Sequence, residues 1–160
     1  MTKKKLKRNY FVVLDGTEEM WKAVEFAMVR AKSIKGNITT ISFAESISDQ
    51  MLLTSTTENI INKDQINLEK EKHKKVHSYL LKKCKIKADM KVFLSSNLDE
   101  FINYLNNFSS NSSIILASSE EIGKPGPLID KLIYEKSNLL KCPLMIISGS
   151  LSDKELGKIV

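Results

Sequence analysis

The sequence predicts one α/β domain, built as a doubly wound sheet of five parallel strands with helices on both faces. The first observation is the continuously apolar segment Tyr10–Leu14, which ends in Asp15-Gly16 and leads directly into a helical pattern. The second is that strand-like and helix-like patterns alternate along the rest of the chain. The third is the length of 160 residues, which suits a single domain with its own core. Helices that cross between parallel strands with right-handed connections then cover the sheet on both sides.

The first βαβ unit is the clearest part of the pattern. After the strand Tyr10–Leu14, a helix is predicted over Thr17–Ile34, because apolar residues recur on one stripe that includes Trp21 and Val24. Glu18 and Glu19 suit the positive end of its dipole, and Lys35-Gly36-Asn37 ends it. The second strand is Ile38–Phe43.

The middle of the chain contains a long connection and a long helix. Residues Ala44–Thr57 carry clusters of Ser and Thr, and connections of this length often contact partners or form lids. The next helix is predicted over Glu58–Cys84, with one solvated side and a thin apolar stripe. That stripe consists of Ile61, Leu68, Val76, Tyr79 and Leu80.

The third strand is predicted over Met90–Ser95, and a capping box formed by Asn97 and Glu100 begins the third helix. The residues expected to face inward from that helix are Leu98, Phe101, Ile102, Leu105 and Phe108.

The last βαβ unit begins with the apolar strand Ser113–Ser118, which we expect at the centre of the sheet. Pro127 suits the first position of a fourth helix, where a missing N–H costs nothing. The predicted buried face of that helix is Leu128, Ile129, Leu132, Ile133, Leu139 and Leu140. The fifth strand is Pro143–Ser148, and Ser152 with Glu155 predicts a capped short helix after it.

Composition narrows the class of protein. The formal net charge is +6, and it is concentrated in residues 1–8, with five Lys or Arg, and in residues 69–87, with eight Lys against two Glu. No aromatic residues are interleaved there for base stacking, so we expect solvated surfaces rather than a nucleic-acid site.

No apolar run approaches the roughly 20 residues that cross a bilayer, which predicts a cytoplasmic protein without a membrane anchor. Cys84 and Cys142 have neither disulfide-like nor metal-like spacing, so both are expected to be free thiols.

Both ends of the chain resemble the universal stress protein family. The segment Val12–Thr17 followed by a Glu-rich helix start is similar to the family's opening, and Cys142-Pro143 before the final apolar strand is similar to its close. The resemblance implies a flavodoxin-like fold over residues 9–148, flanked by a basic tail at 1–8 and by a C-terminal tail with a short helix at 149–160. It also implies a homodimer paired through the strand Pro143–Ser148.

Many members of that family bind ATP through a Gly-x2-Gly-x9-Gly-Ser pattern between the fourth strand and the fourth helix. The matching positions here are Ala117-Ser118-Ser119-Glu120, nine residues, and then Asp130-Lys131, so all three glycines are replaced. Glycines matter at such a site because backbone N–H groups must approach the phosphate oxygens closely. Glu120 and Asp130 also add negative charge, so we expect tight ATP binding to be lost, although Lys124 and Lys131 offset part of that charge.

An adenine-nucleotide pocket remains the alternative prediction, with ATP or AMP as its ligand. Its candidate residues are Asp15, Gly16, Thr17, Ala44, Ala117, Ser118 and Lys131. Asp15 either accepts hydrogen bonds from a ribose or adenine, which is its role in the family, or it only closes the turn after the first strand. Gly16 and Thr17 are expected to serve mainly that turn and the helix start.

The remaining motifs favour structural roles. Gly123–Pro127 is glycine-rich, but it ends in no Gly-Lys-Ser or Gly-Lys-Thr and contains two prolines, so a rigid loop is expected instead of a phosphate loop. His73 and His77 share a helix face without a third ligand nearby in sequence, and no metal site is predicted. No catalytic constellation is found. The expected function is therefore a non-enzymatic, regulatory or protective homodimer that acts through contacts with an unidentified protein partner.

Overall fold

The computed structural model describes residues 7–46, 55–108 and 111–159. Its sheet contains five parallel strands in the order β3-β2-β1-β4-β5. The strands are β1 Asn9–Val13, β2 Asn37–Ala44, β3 Asp89–Leu94, β4 Ser112–Ser118 and β5 Leu144–Ser148. The α-helices are α1 Met20–Ile34, α2 Ser55–Cys84, α3 Leu98–Asn106, α4 Pro127–Asp130 and α5 Asp153–Ile159. The predicted fold class is therefore confirmed, with element boundaries that shift by one to three residues at most ends.

Two apolar clusters lie on opposite faces of the sheet. On one face, alternate β1 residues such as Val12 pack with residues of α1, α2 and α5. On the other face, Phe11 and Val13 pack with α3 and with the chain that follows Pro127. This alternation follows from the two-residue period of a strand, and it explains why β1 is apolar at every position after Asn9.

The segment after β4 differs most from its prediction. Pro127 does occupy the first helical position, but regular α-helix stops at Asp130 and continues as a π-helical turn, Lys131–Glu135, and a short 3-10 turn, Ser137–Leu139. Ile129 and Leu132 are buried, whereas Ile133 is 39% exposed and Leu139 is 46% exposed. Leu128 and Leu140 pack against the core as predicted. The prediction of one continuous helix was wrong, as was the inward placement of Ile133 and Leu139, because a wider turn rotates these later residues away from the sheet.

Two other predicted core residues are exposed. Leu68 is 60% exposed because the buried face of α2 runs through Glu69, His73, Val76 and Leu80, and Leu68 lies about 100° from Glu69 around the helix. Phe108 lies two residues after the end of α3 and is 44% exposed, although its ring makes a T-shaped contact with the ring of Phe11.

Local capping predictions were accurate. The Asn97 side chain accepts a hydrogen bond from the Glu100 backbone N–H (3.2 Å) and donates to the Glu100 carboxylate (2.8 Å). At α5 the Ser152 backbone N–H donates to the Glu155 carboxylate (2.9 Å), and the Glu155 backbone N–H donates to the Ser152 hydroxyl (3.3 Å). Both motifs depend on residues three apart, so the sequence alone determines them.

The C-terminal helix α5 packs on α1 of the same chain. Leu156 is buried in the core cluster, Lys22 lies 3.9 Å from Asp153, and Arg30 donates to the Ile159 carbonyl (3.4 Å). The long connection before α2 falls largely on residues 47–54, outside the described residues. Across the part of the chain that is described, none of the helices combines the length and apolar character needed to span a membrane.

Candidate functional site

The candidate site lies at the carboxyl ends of β1 and β4, where the order of the strands reverses. From β1 the chain moves to β2 on one side, and from β3 it crosses back to β4 on the other. In open parallel sheets this reversal leaves a crevice between the loops that follow the two central strands. Here those loops are the turn Asp15–Thr17 and the β4–α4 connection that ends at Pro127.

Asp15 closes its own turn. Its carboxylate accepts hydrogen bonds from the Thr17 backbone N–H (3.0 Å) and hydroxyl (2.7 Å), and Gly16 supplies a φ of 84°. The Thr17 hydroxyl then accepts from the Met20 N–H (3.3 Å) at the start of α1. The predicted turn role of these three residues is therefore observed, while the Asp15 carboxylate stays exposed at the mouth of the crevice.

The first cavity, which we call the switch-point cavity, has a volume of about 470 Å³ and lies between α1 and the β4–α4 loop. Its charged lining residues are Asp15, Glu19, Asp130 and Lys124. Lys124 is paired with Glu121 at 2.5 Å, so its charge is already partly compensated. Of the four charged residues described as lining this cavity, three are therefore carboxylates. An anionic ligand would have to bind beside them.

Glu19 was not identified from the sequence as a site residue. Its carboxyl pKa is lowered, first by a hydrogen bond from its own backbone N–H and then by the Glu120 backbone N–H and the Thr17 hydroxyl, against an opposing effect of desolvation. The Glu120 backbone N–H therefore helps to stabilise the charged form of the Glu19 carboxyl. The Glu120 side chain is exposed and does not line the switch-point cavity, whereas Asp130 does.

The loop Gly123–Pro127 is held by its own backbone. The Ser119 N–H donates to the Pro125 carbonyl (3.1 Å), and the Lys124 N–H donates to the Glu121 carbonyl (3.2 Å). Gly126, with a φ of 124°, precedes α4, and Pro127 has no N–H to offer. The loop is therefore closed by its own backbone hydrogen bonds, and its rigidity stays a prediction.

A second cavity, which we call the α2-side cavity, lies next to the first and has a volume of about 330 Å³. Its apolar lining residues are Val13, Leu14, Phe43, Leu98, Pro127 and Leu128. Its polar rim carries Lys72, Lys131 and the carboxylates of Asp15, Glu45 and Glu69, and Lys72 pairs with Glu69 at 2.5 Å. Lys131 therefore lines the apolar cavity rather than the acidic one.

The remaining predicted site residues lie inside the strands. Ala44 and Ala117 are buried, and the Ala44 carbonyl accepts a hydrogen bond from the Ser95 N–H (2.8 Å). Ser118 pairs with Ser148 in the β4–β5 ladder. Among the described lining residues of these two cavities, none of these three appears. Thr17 lines the switch-point cavity, and together with Gly16 it also lines a third cavity of about 520 Å³ between α1 and α2.

His73 and His77 belong to a buried polar cluster beneath α2. The Thr40 hydroxyl lies 2.6 Å from His73 Nδ1, 2.7 Å from His77 Nε2 and 3.2 Å from the Asp89 carbonyl. A carbonyl only accepts, so the hydroxyl donates to Asp89 and accepts from both rings. His73 Nε2 then accepts from the Ser42 hydroxyl (2.8 Å).

Burial, together with the nearby charges of His77 and Lys72, lowers the pKa of His73 to about 4. Burial also lowers the pKa of His77, against the opposing charge of Asp89. Within residues 7–46, 55–108 and 111–159, no group of three or more His, Cys, Asp or Glu side chains is placed to hold a metal ion.

Both cysteines are free thiols, as predicted. Cys142 is buried in the core cluster on the α3 side, and burial raises its pKa. Cys84 is half-buried at the end of α2, where its thiol donates to the Leu80 carbonyl (3.1 Å).

Comparison with solved structures identifies the fold. Universal stress protein UspA from Lactobacillus plantarum matches 88% of this chain and 97% of its own, with a TM-score of 0.66 and 11% identity. A universal stress protein family member from Burkholderia pseudomallei matches 89% of this chain and 97% of its own, with a TM-score of 0.56 and 12% identity. The universal stress protein from Archaeoglobus fulgidus in complex with dAMP matches 88% and 97%, with a TM-score of 0.51 and 10% identity. No protein-family model and no curated protein matches the sequence.

Proposed function

We propose that this chain, which has the fold of the universal stress proteins, is a member of that family that lacks tight ATP binding. It acts without catalysis, as a regulatory or protective homodimer, through contacts with a protein partner. The observation that carries the proposal is the set of carboxylates of Asp15, Glu19 and Asp130 around the switch-point cavity. A polyphosphate would enter a field of its own sign there.

The electrostatic penalty is large on the scale of nucleotide affinity. Two like charges about 4 Å apart repel by roughly 4 kcal/mol at an effective dielectric constant of about 20, and about 1.4 kcal/mol changes an affinity tenfold. Backbone donors of the β4–α4 loop do not compensate, because the Ser119 N–H donates to the Pro125 carbonyl and the Lys124 N–H to the Glu121 carbonyl.

Titration calorimetry with ATP and AMP tests this part of the proposal. We expect no measurable heat from the wild type and no nucleotide released when the purified protein is denatured. The double variant Glu19→Gln/Asp130→Asn should gain at least tenfold in affinity for ATP, because two repulsive charges are removed. The matched control is Asp153→Asn, which removes a fully exposed carboxylate at α5 and should change nothing.

Micromolar binding by the wild type would contradict the proposal and favour the alternative function, an adenine-nucleotide switch. The observation that favours this alternative is the α2-side cavity, whose apolar walls suit a base. Its rim offers Lys131 to a short phosphate, beside the carboxylates of Asp15, Glu45 and Glu69. The dAMP complex of the Archaeoglobus fulgidus protein shows that another chain of this fold binds such a ligand.

The edge strand β5 supports the homodimer part of the proposal. It is the last strand of the sheet, and Ile146 on it is 40% exposed. An apolar edge strand of this kind favours pairing with a second copy. We expect light scattering to give a dimer for the wild type and a monomer for Ile146→Lys. The matched control is Met90→Lys, which should leave the dimer intact. Met90 is 44% exposed, like Ile146, but it lies on the opposite edge strand β3. A monomeric wild type would overturn this part of the proposal.

A further inference from the structure

The edge of the sheet opposite the candidate site is strongly basic. We call it the amino edge, because it is formed by the residues that precede the strands and end the helices. Its described segments are 7–8, 32–36, 81–88, 106–108, 138–142 and 157–159. These segments contain ten Lys or Arg and no Asp or Glu.

The carboxyl edge carries the opposite charge. Its described segments are 14–19, 44–46, 55–58, 95–100, 119–127 and 149–155. They contain eleven Asp or Glu and two Lys. The net charge of the chain therefore conceals two poles of opposite sign at the two ends of the strands.

Part of this polarity has a local cause. In a parallel sheet with crossover helices, every helix begins at the carboxyl edge and ends at the amino edge, so acidic first turns and basic last turns accumulate on opposite sides. That cause does not extend to Arg8, Lys87 or Lys141, which precede strands and lie in no helix. The basic edge is therefore more than a sum of helix ends.

Backbone contacts hold the segments of this edge together. The Asn37 N–H donates to the Arg8 carbonyl (2.8 Å), which places the start of β1 beside the end of α1. The Lys141 N–H donates to the Asn106 side chain (2.9 Å), and Asn106 donates back to the Leu139 carbonyl (2.9 Å). Because adjacent strands lie about 4.8 Å apart, the basic residues before neighbouring strands form a row.

Large apolar side chains are exposed among these charges, one near the end of each helical segment. They are Ile34 at 51%, Leu81 at 52%, Phe108 at 44%, Leu139 at 46% and Ile159 at 46%. Their positions at five helix ends place them all on the amino edge. A surface of lysines that surround exposed Ile, Leu and Phe matches the chemistry of an anionic lipid interface, where headgroups meet acyl chains.

We propose that the amino edge is a docking surface for anionic membranes, independent of the function proposed for the opposite edge. The lysines attract acidic headgroups while the apolar side chains enter the interface. A nucleic acid is less well matched, because four of the five exposed apolar residues are aliphatic and cannot stack on bases. The acidic carboxyl edge then faces away from the membrane and leaves the candidate site open to a protein partner.

Flotation with vesicles tests this proposal on the full chain. The vesicles are phosphatidylcholine alone or an equal mixture with phosphatidylserine. We expect binding to the mixture only, weakened by salt. The variant Lys87→Glu/Lys141→Glu should lose at least about 25-fold in partition, since each lysine near an anionic surface contributes about fivefold and each new glutamate adds repulsion. The matched control Lys124→Glu/Lys154→Glu reverses two charges at the carboxyl edge and should bind like the wild type.

A second pair of variants tests the contribution of the exposed apolar side chains to vesicle binding. Ile34→Ser should weaken binding, whereas Ile122→Ser, at a position 98% exposed in the β4–α4 loop, should not. Absence of binding to the mixed vesicles, or equal losses in both charge-reversal variants, would overturn the proposal. So would binding of a single-stranded RNA oligonucleotide that is stronger than vesicle binding and insensitive to Ile34→Ser. Thermal unfolding of each variant checks that the fold is retained.

Discussion

Lowering the pH from 7 to about 4 is expected to reduce the free energy of unfolding by about 3 kcal/mol through His73 alone. The folded pKa is about 4, below the ordinary value of 6.5. A depressed folded pKa means that the unfolded chain takes up the proton first as the pH falls. The stabilisation is therefore complete above pH 6.5 and is lost as the pH approaches 4.

The physical reason is that both ring nitrogens of His73 are used in the neutral state. Nδ1 donates to Thr40, and Nε2 accepts from Ser42, in a site with no exposed surface. A second proton on Nε2 would face the Ser42 hydroxyl, which would then have to reverse its hydrogen bond. The added charge would also lie near the charges of His77 and Lys72, which disfavour it. The negative charge of Asp89 raises the pKa of the neighbouring His77, against the effect of burial.

Urea titrations at a series of pH values measure this effect. Carboxylates also titrate in this range, so the comparison is with His73→Gln, which keeps a polar side chain but cannot take up the proton. The wild type should lose about 3 kcal/mol more than this variant between pH 7 and about 4. His77→Gln is the matched control on the same helix face and should retain most of the pH dependence. Parallel pH profiles for the wild type and His73→Gln would contradict the assignment.

Replacing Gly149 with Ala should destabilise the protein by about 3 kcal/mol, at the upper end of the range for overpacking. A Cβ atom at this position would lie 2.3 Å from the Ser118 carbonyl oxygen and 2.6 Å from Glu19 Cγ. The carbonyl belongs to the last residue of β4, so the strand ends themselves would have to separate. Glu19, which lines the switch-point cavity, would have to move as well.

Gly157→Ala provides the matched control for this change. Gly157 lies inside α5, and no atom lies within 4 Å of a Cβ added there. Alanine is favoured over glycine in a helix by roughly 0.5 to 1 kcal/mol, so this variant should be slightly more stable than the wild type. Equilibrium denaturation measures the free energy of unfolding of both variants. A loss of less than about 1 kcal/mol for Gly149→Ala would contradict the prediction, because it would mean that the strand ends separate easily.

The basic residues of the amino edge come from segments that are far apart in the sequence. In sequence, the tail and the end of the second helix are separate runs of lysine, and each reads as a solvated surface. The fold brings Arg8, Lys35 and Lys87 to the starts of three adjacent strands, β1, β2 and β3. Whether this edge binds an anionic surface is a question that arises only from that arrangement.

The sequence by itself determined the parallel sheet, its alternating helices and the caps at Asn97 and Ser152. These features rest on periodicity and on residues three or four apart, which local physics fixes. Only the tertiary structure decided that Lys131 lines the apolar cavity, that Glu19 enters the acidic one and that His73 is buried against Thr40. It also decided that Leu68 and Leu139 are exposed. Such outcomes depend on which distant segments meet, and on the rotation of a helix by a fraction of a turn, so no local pattern specifies them.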